Sequence, residues 1–212
     1  MNKSASNPLS IVTNIEVGTK PMIDIENVDN KLPGDMAMWF FILAELSVFA
    51  LFFIGFAVAE NLNETMFLQG KAHLHKIAGL INTLALITSS FAVALALQAL
   101  HQGKEKIAAR RLLYALAIAC IYIVTKLWEY QALFDQGIDI ETNTFFTLYF
   151  LITAFHFMHI LLGMVILAYM TKQAFQEAYL ANENISGFEA GASYWHMVDM
   201  LWIILFPLIY II

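Results

Sequence analysis

The sequence predicts an all-α, polytopic membrane protein, a bundle of five transmembrane helices, and three observations predict it. Of its 212 residues 60% are hydrophobic and only 13% charged, with a mean hydropathy of +0.68, more apolar surface than a soluble domain of this length can hide. Five apolar stretches, each about 20 residues or longer, are separated by short polar connections. Lysine and arginine are spread unevenly over those connections, as they are when a chain is threaded in one direction. The net charge of -6 and the lack of a basic tract beyond the four cations of one loop exclude nucleic acid as a partner. Cys120, the only cysteine, falls inside a predicted span and has no partner for an internal disulfide.

Residues 1–32 read as a polar tail, without the basic end and short apolar core of an export signal, and with one surface-lying turn near 11–17. Pro33 then breaks the tail and Asp35 is placed to cap the first helix, so residues 33–212 form the membrane domain. Span one covers about 36–59 and carries a single charge, Glu45, roughly 13 Å into the helix at the rise of an α-helix. A carboxylate facing lipid at that depth would cost a few kcal/mol, so Glu45 is expected to be neutral, paired or turned to the bundle. Either a hydrogen-bonded structural acid or a proton-exchanging, partner-contacting carboxyl fits.

Span two, about 77–100, places Ala78, Asn82, Ala85, Ser89 and Ala92 at spacings of four and three, followed by Ala96. Such a seam of small side chains admits another helix closely. Span three, about 107–134, carries Lys126 and Glu129 three residues apart on one face, where each can neutralise the other as a structural ion pair. Span four, about 144–170, contains His156 and His159. With Tyr149, Thr153 and Gly163 they occupy about a third of the helix's circumference, a polar stripe that belongs against protein. Two readings stand for the histidines: hydrogen bonds across helices, or haem or metal ligation, which needs further ligands from other helices. The segment 172–191 reads as a continuation of that helix to about Leu180 and a loop over 182–187. Span five, about 193–212, sets Ala192, His196, Asp199, Ile203, Pro207 and Tyr210 on one face, with His196 and Asp199 spaced to pair and Pro207 releasing the carbonyl of Ile203.

The amino tail, the second loop and the fourth loop hold eight lysines and arginines, against two, Lys71 and Lys76, in the first loop and none in the third. The positive-inside rule then puts the N-terminus in the cytoplasm and the C-terminus outside. Measured from the cytoplasmic boundary, His196 and Asp199 lie roughly 5 to 9 Å deep, Glu45 about 13 Å, and His159 and His156 roughly 18 to 23 Å. They are a candidate ladder of protonatable groups and equally a polar seam that fixes helix register. No metal-binding motif and none of the common nucleophile, phosphate-loop or dinucleotide motifs occurs, so no active site of the chain's own is expected.

Five stretches in order, F-F-I-L-A-E-L-S-V-F-A-L-F-F around Glu45, I-N-T-L-A-L-I-T-S-S from Ile81, K-L-W-E-Y from Lys126, F-H-F-M-H-I-L-L-G from Phe155 and Y-W-H-M-V-D-M-L-W from Tyr194, resemble subunit III of the haem–copper oxidases. The resemblance implies a non-catalytic bundle with no cofactor of its own. It would pack beside the catalytic subunit I, which carries the haem with copper or iron, and hold phospholipid in a cleft. It also implies a bacterial inner-membrane location. The family's carbodiimide-reactive carboxyl, tied to proton uptake and turnover stability, matches Glu45. Its recurrent histidines, acids and aromatic residues match His156, His159, His196, Asp199, Trp195 and Glu129. Longer members begin with two further helices. This five-span form, with P-G-D-M-A-M-W-F-F before Glu45 and a lysine in K-x-x-E-Y, looks most like the accessory branch of nitric oxide reductase, whose large subunit would then be the partner, with quinol and cytochrome c oxidase subunits III close behind. Two other classes remain: a small cytochrome that ligates its own haem through histidines such as His159 and His196, and an ion-coupled transporter, although no internal repeat or broken helix is evident.

Overall fold

The computed structural model describes residues 36–181 and 185–211. Among them the chain is entirely helical: α1 (Met36–Leu62), α2 (Glu64–Ala72), α3 (Lys76–His101), α4 (Glu105–Asp135), α5 (Thr144–Phe175), α6 (Ala178–Ala181) and α7 (Ile185–Tyr210). Five of these, α1, α3, α4, α5 and α7, are long and apolar enough to cross a membrane. The tail over 1–32, its surface turn, the Pro33–Asp35 stop and residue 212 lie outside the described residues.

Apolar composition alone does not say which face of each helix turns inward; small and aromatic residues decide that. In hydrocarbon there is no water to drive helices together, so close van der Waals packing and interhelical hydrogen bonds do the work. On α3 the residues Ala78, Asn82, Ala85 and Ser89 are buried and Ala92 partly so, while α4 presents Ala108, Ala115 and Ala119 fully buried. The Ser89 hydroxyl donates to the carbonyl of Ala115 at 2.9 Å, and the Arg111 guanidinium to that of Leu95. These contacts fix the α3–α4 pair antiparallel. Between them, Gly103 takes the left-handed conformation (φ 74°), so that its N–H reaches Leu100 O and the Lys104 N–H reaches Ala99 O, both at 2.9 Å.

Helix α5 packs on α4, and α7 fills the space between α3 and α5, burying the largest share of its apolar window of any span. Its inward face carries Trp195, Trp202 and Tyr194. Helix α1 lies on the outside of α5 and α7 and buries least, through Ile42, Phe49 and Phe56. Leu51, Leu84, Val124 and Val165 are among the apolar side chains left facing outward, where lipid would cover them.

Three boundaries differ from the sequence expectation. The 59–77 connection contains the nine-residue helix α2, held because Phe67 packs edge-on against Phe56 and Phe145 at 5.1 and 5.3 Å. Lys71 is buried and bonded to Glu60 at 2.5 Å. Helix α5 stops at Phe175, before the expected extension to Leu180, at a turn where Glu177 adopts a positive φ of 53°. Helix α7 starts at Ile185, eight residues before the expected Ser193, so 185–187 is helix rather than loop. Phe188 buried against Tyr179, and Gly191 tight against Met170, stabilise that extra length although two glycines weaken it.

Candidate functional site

The polar side chains of the spans gather in separate groups inside the bundle. Glu45, nine residues into α1, meets α5 through a 3.0 Å contact from its Oε2 to His159 Nε2. The other ring nitrogen, His159 Nδ1, lies 2.7 Å from the carbonyl of Phe155 one turn back on its own helix. A carbonyl can only accept, so Nδ1 carries a proton and the tautomer is set. A hydrogen bond between Nε2 and Oε2 requires one more proton on one of the two atoms. That proton makes either a neutral acid bonded to imidazole or a carboxylate bonded to imidazolium, without movement of heavy atoms. Phe49 and Phe155 rings, at 5.3 and 4.7 Å from the imidazole, wall the pair, and the Glu45 and His159 side chains stay 20% and 10% exposed.

His156, one turn before His159, points elsewhere. It is fully buried and stacks on Trp202 of α7 at 5.2 Å (28° between planes), with the Tyr122 ring edge-on at 5.9 Å. The two histidines share the inward stripe and both meet Phe49 of α1, but His159 bonds to α1 while His156 packs on α4 and α7.

Lys126 and Glu129 lie at the centre of a third group. The ammonium has three N–H donors, and all are used: Glu129 Oε2 at 2.9 Å, and the hydroxyls of Tyr149 and Tyr210 at 3.0 Å each. The Tyr210 hydroxyl in turn donates to Glu129 at 2.8 Å. The rings of Tyr149 and Tyr130 lie 4.7 and 5.0 Å from the Lys126 nitrogen, adding cation–π attraction. Tyr130 is tied through its hydroxyl to Thr153 at 2.8 Å. Both charges are wholly buried, and this saturation of donors and acceptors is what makes their burial tolerable.

The expected pairing of His196 with Asp199 is replaced by an arrangement around a residue from α3. Ser90 Oγ stands 2.5 Å from His196 Nδ1. The serine reaches His196 because α3 packs against that face of α7. The face itself is split: Ala192, Asp199 and Tyr210 are buried, His196 and Pro207 half-buried and Ile203 exposed. Among the described contacts, direct hydrogen bonds join Glu45 only to His159, and the five residues of the candidate ladder do not form one continuous chain. Among the described residues no group of three or more His, Cys, Asp or Glu converges as metal ligands.

Ser90, Tyr149, Tyr210 and Tyr130 were not singled out as partners of these groups by sequence. Tyr149 was legible as part of the α5 stripe and Tyr210 as part of an α7 face. Their convergence on Lys126, from residues 23 and 84 positions away, follows only from helix packing.

Helices, lipid-facing apolar surface and an interior of paired acids, imidazoles and tyrosines together define a multi-pass membrane bundle whose polar groups face protein. The chain belongs to the cytochrome c oxidase subunit III family, whose model matches residues 33–212. Curated relatives include the cytochrome c oxidase subunit 3 of Synechocystis sp., 24% identical over 172 residues covering 81% of this chain and 72% of that protein. The Arabidopsis thaliana subunit 3 is 37% identical over 131 residues, 61% of this chain and 48% of that one. The heme-copper oxidase subunit I+III of Aeropyrum pernix is 27% identical over 181 residues, covering 83% of this chain and 22% of that protein. The chain thus spans about half the length of the plant relative and about a fifth of the fused one.

Proposed function

We propose that this chain is a non-catalytic subunit of a respiratory haem–copper complex of a bacterial inner membrane. It packs beside the catalytic subunit, stabilises it, and retains a proton close to that subunit's uptake route. The observation that carries the reading is the Glu45–His159 pair, a carboxyl and an imidazole 3.0 Å apart at the edge of the bundle. Its carboxyl stands where the family resemblance places the functional acid. A relative in which subunits I and III form one polypeptide supports subunit I as the neighbour. The N-terminus faces the cytoplasm, as the lysine and arginine distribution favours.

In the finer reading the partner is the large subunit of a nitric oxide reductase rather than an oxygen-reducing subunit I, which the five-span form and the lysine at position 126 favour. The haem and the copper or iron belong to that partner, and phospholipid covers the exposed faces of α1 and α5. Ligation of haem by His159, the small-cytochrome alternative, would require the imidazole to give up Phe155 or Glu45, since both ring nitrogens are committed.

Affinity purification of the tagged chain from native membranes tests the assignment: a large subunit bearing haem is expected to co-purify, and its substrate separates the two partners. A purified chain free of partners, with haem bound in equal amount, would overturn it. Glu45→Gln tests the role, because glutamine keeps a hydrogen bond to His159 but holds no exchangeable acid. Normal assembly with slower turnover or a shorter working life of the complex is expected. Wild-type turnover and lifetime would remove proton retention from the account.

A further inference from the structure

Four helices bring three uncommitted polar side chains to one layer of the core. Asn82 of α3, Tyr122 of α4 and His156 of α5 are fully buried, and the Asn82 amide, the Tyr122 hydroxyl and both His156 ring nitrogens have no hydrogen-bond partner among the described residues. Their common level follows from independent contacts. Ser89 bonds to Ala115 across the antiparallel α3–α4 pair, and seven residues back from one and seven on from the other stand Asn82 and Tyr122. Trp202 of α7 donates its indole N–H to Thr83, next to Asn82, at 3.0 Å, and the same indole meets Tyr122 at 5.0 Å and His156 at 5.2 Å. On its own helix Asn82 is flanked by the small residues Ala78, Gly79 and Ala85 and by Leu86, and Ala119 lies one turn from Tyr122.

Buried amides, hydroxyls and imidazoles are almost always hydrogen-bonded, because leaving them bare forfeits the bonds they make to water in the unfolded chain. Internal water that satisfies two to four such groups is the usual remedy where protein partners are lacking. We propose that Asn82, Tyr122 and His156 together bind ordered water, a hydration site enclosed by α3, α4, α5 and α7. One turn along α4 from Tyr122 stands Lys126, whose ammonium lies 5.6 Å from the same Trp202 ring. The hydration site and the Lys126–Glu129 network are therefore adjacent polar layers, and the water occupies the layer that protein groups leave unsatisfied. Glu45 and His159 satisfy each other and take no part in it.

Two measurements decide the matter on the full chain. Tyr122→Phe removes only the hydroxyl. If that group is bonded to water, the thermal unfolding midpoint of the purified protein falls by a few degrees, and Asn82→Ala combined with it costs less than the sum of the two changes. If the hydroxyl is dry, its removal leaves the midpoint unchanged or raises it, which overturns the proposal. A density map at a resolution that shows solvent provides the second readout and does not depend on any variant folding. A peak within hydrogen-bonding distance of Tyr122 Oη and either Asn82 or His156 is expected; continuous side-chain packing with no peak there overturns the inference.

Discussion

At the scale of single residues, the interior is governed by whether each polar atom finds a partner. Lys126 and Glu129 show the sharp case. Removing one member, as in Lys126→Met, strands a buried carboxylate and is expected to cost about 3–5 kcal/mol, lowering the unfolding midpoint in detergent by roughly 10 °C. Pairing it with Glu129→Leu removes the stranded charge, and most of the loss is expected to return. A double variant no better than the single one would mean that the tyrosines, not the ion pair, carry the network. The spacing of Lys126 and Glu129 made the pair legible in sequence, since residues three apart on a helix face each other. Tyr149 and Tyr210 were not legible as its partners, because which tyrosine reaches an ammonium depends on how three helices are rotated. Ser90 shows the same limit: nothing in its local sequence says that it meets His196.

At the scale of helices, small residues set distance. A Cβ added at Gly163 would stand 2.8 Å from the Trp195 ring, so Gly163→Leu is expected to push α5 from α7 and cost about 1–3 kcal/mol, read as lower yield and a lower unfolding midpoint. Ser89→Leu and Ala85→Leu press on α4 in the same way, and Ser89→Leu also loses the bond to Ala115. Wild-type stability of either would mean that the α3–α4 seam has room it does not show. That seam was readable because small side chains recur at helical spacing over several turns. Helix α2 was not: it is short and of mixed polarity, and it exists because Phe67 finds Phe56 and Phe145, neighbours supplied by two other helices. The early start of α7 was hidden for a related reason, since local propensity at Gly187 and Gly191 opposes helix and the packing of Phe188 on Tyr179 and of Gly191 on Met170 outweighs it.

At the scale of the whole molecule, composition and span length were enough to give five crossing helices, since bilayer thickness imposes both. Two predictions belong here. Cys120 lies exposed on the outer side of α4, in mid-span, so a water-soluble maleimide is expected to leave it unmodified in intact membranes and to label it once the protein is denatured. Ready labelling in membranes would place that face on an aqueous path. A reporter active only in the cytoplasm is expected to work at the N-terminus and fail at the C-terminus, and the reverse pattern would invert the orientation. The seating of α1 has a further consequence, one of timing. Helix α1 precedes the other spans in the chain, yet the imidazole that accepts its acid is 114 residues downstream and its resting place is the joint between α5 and α7. During synthesis Glu45 therefore waits for His159 until about three-quarters of these 212 residues have been made. The first of the five spans is thus secured only by later ones, and any insertase or companion subunit that shelters it does so while they are being made.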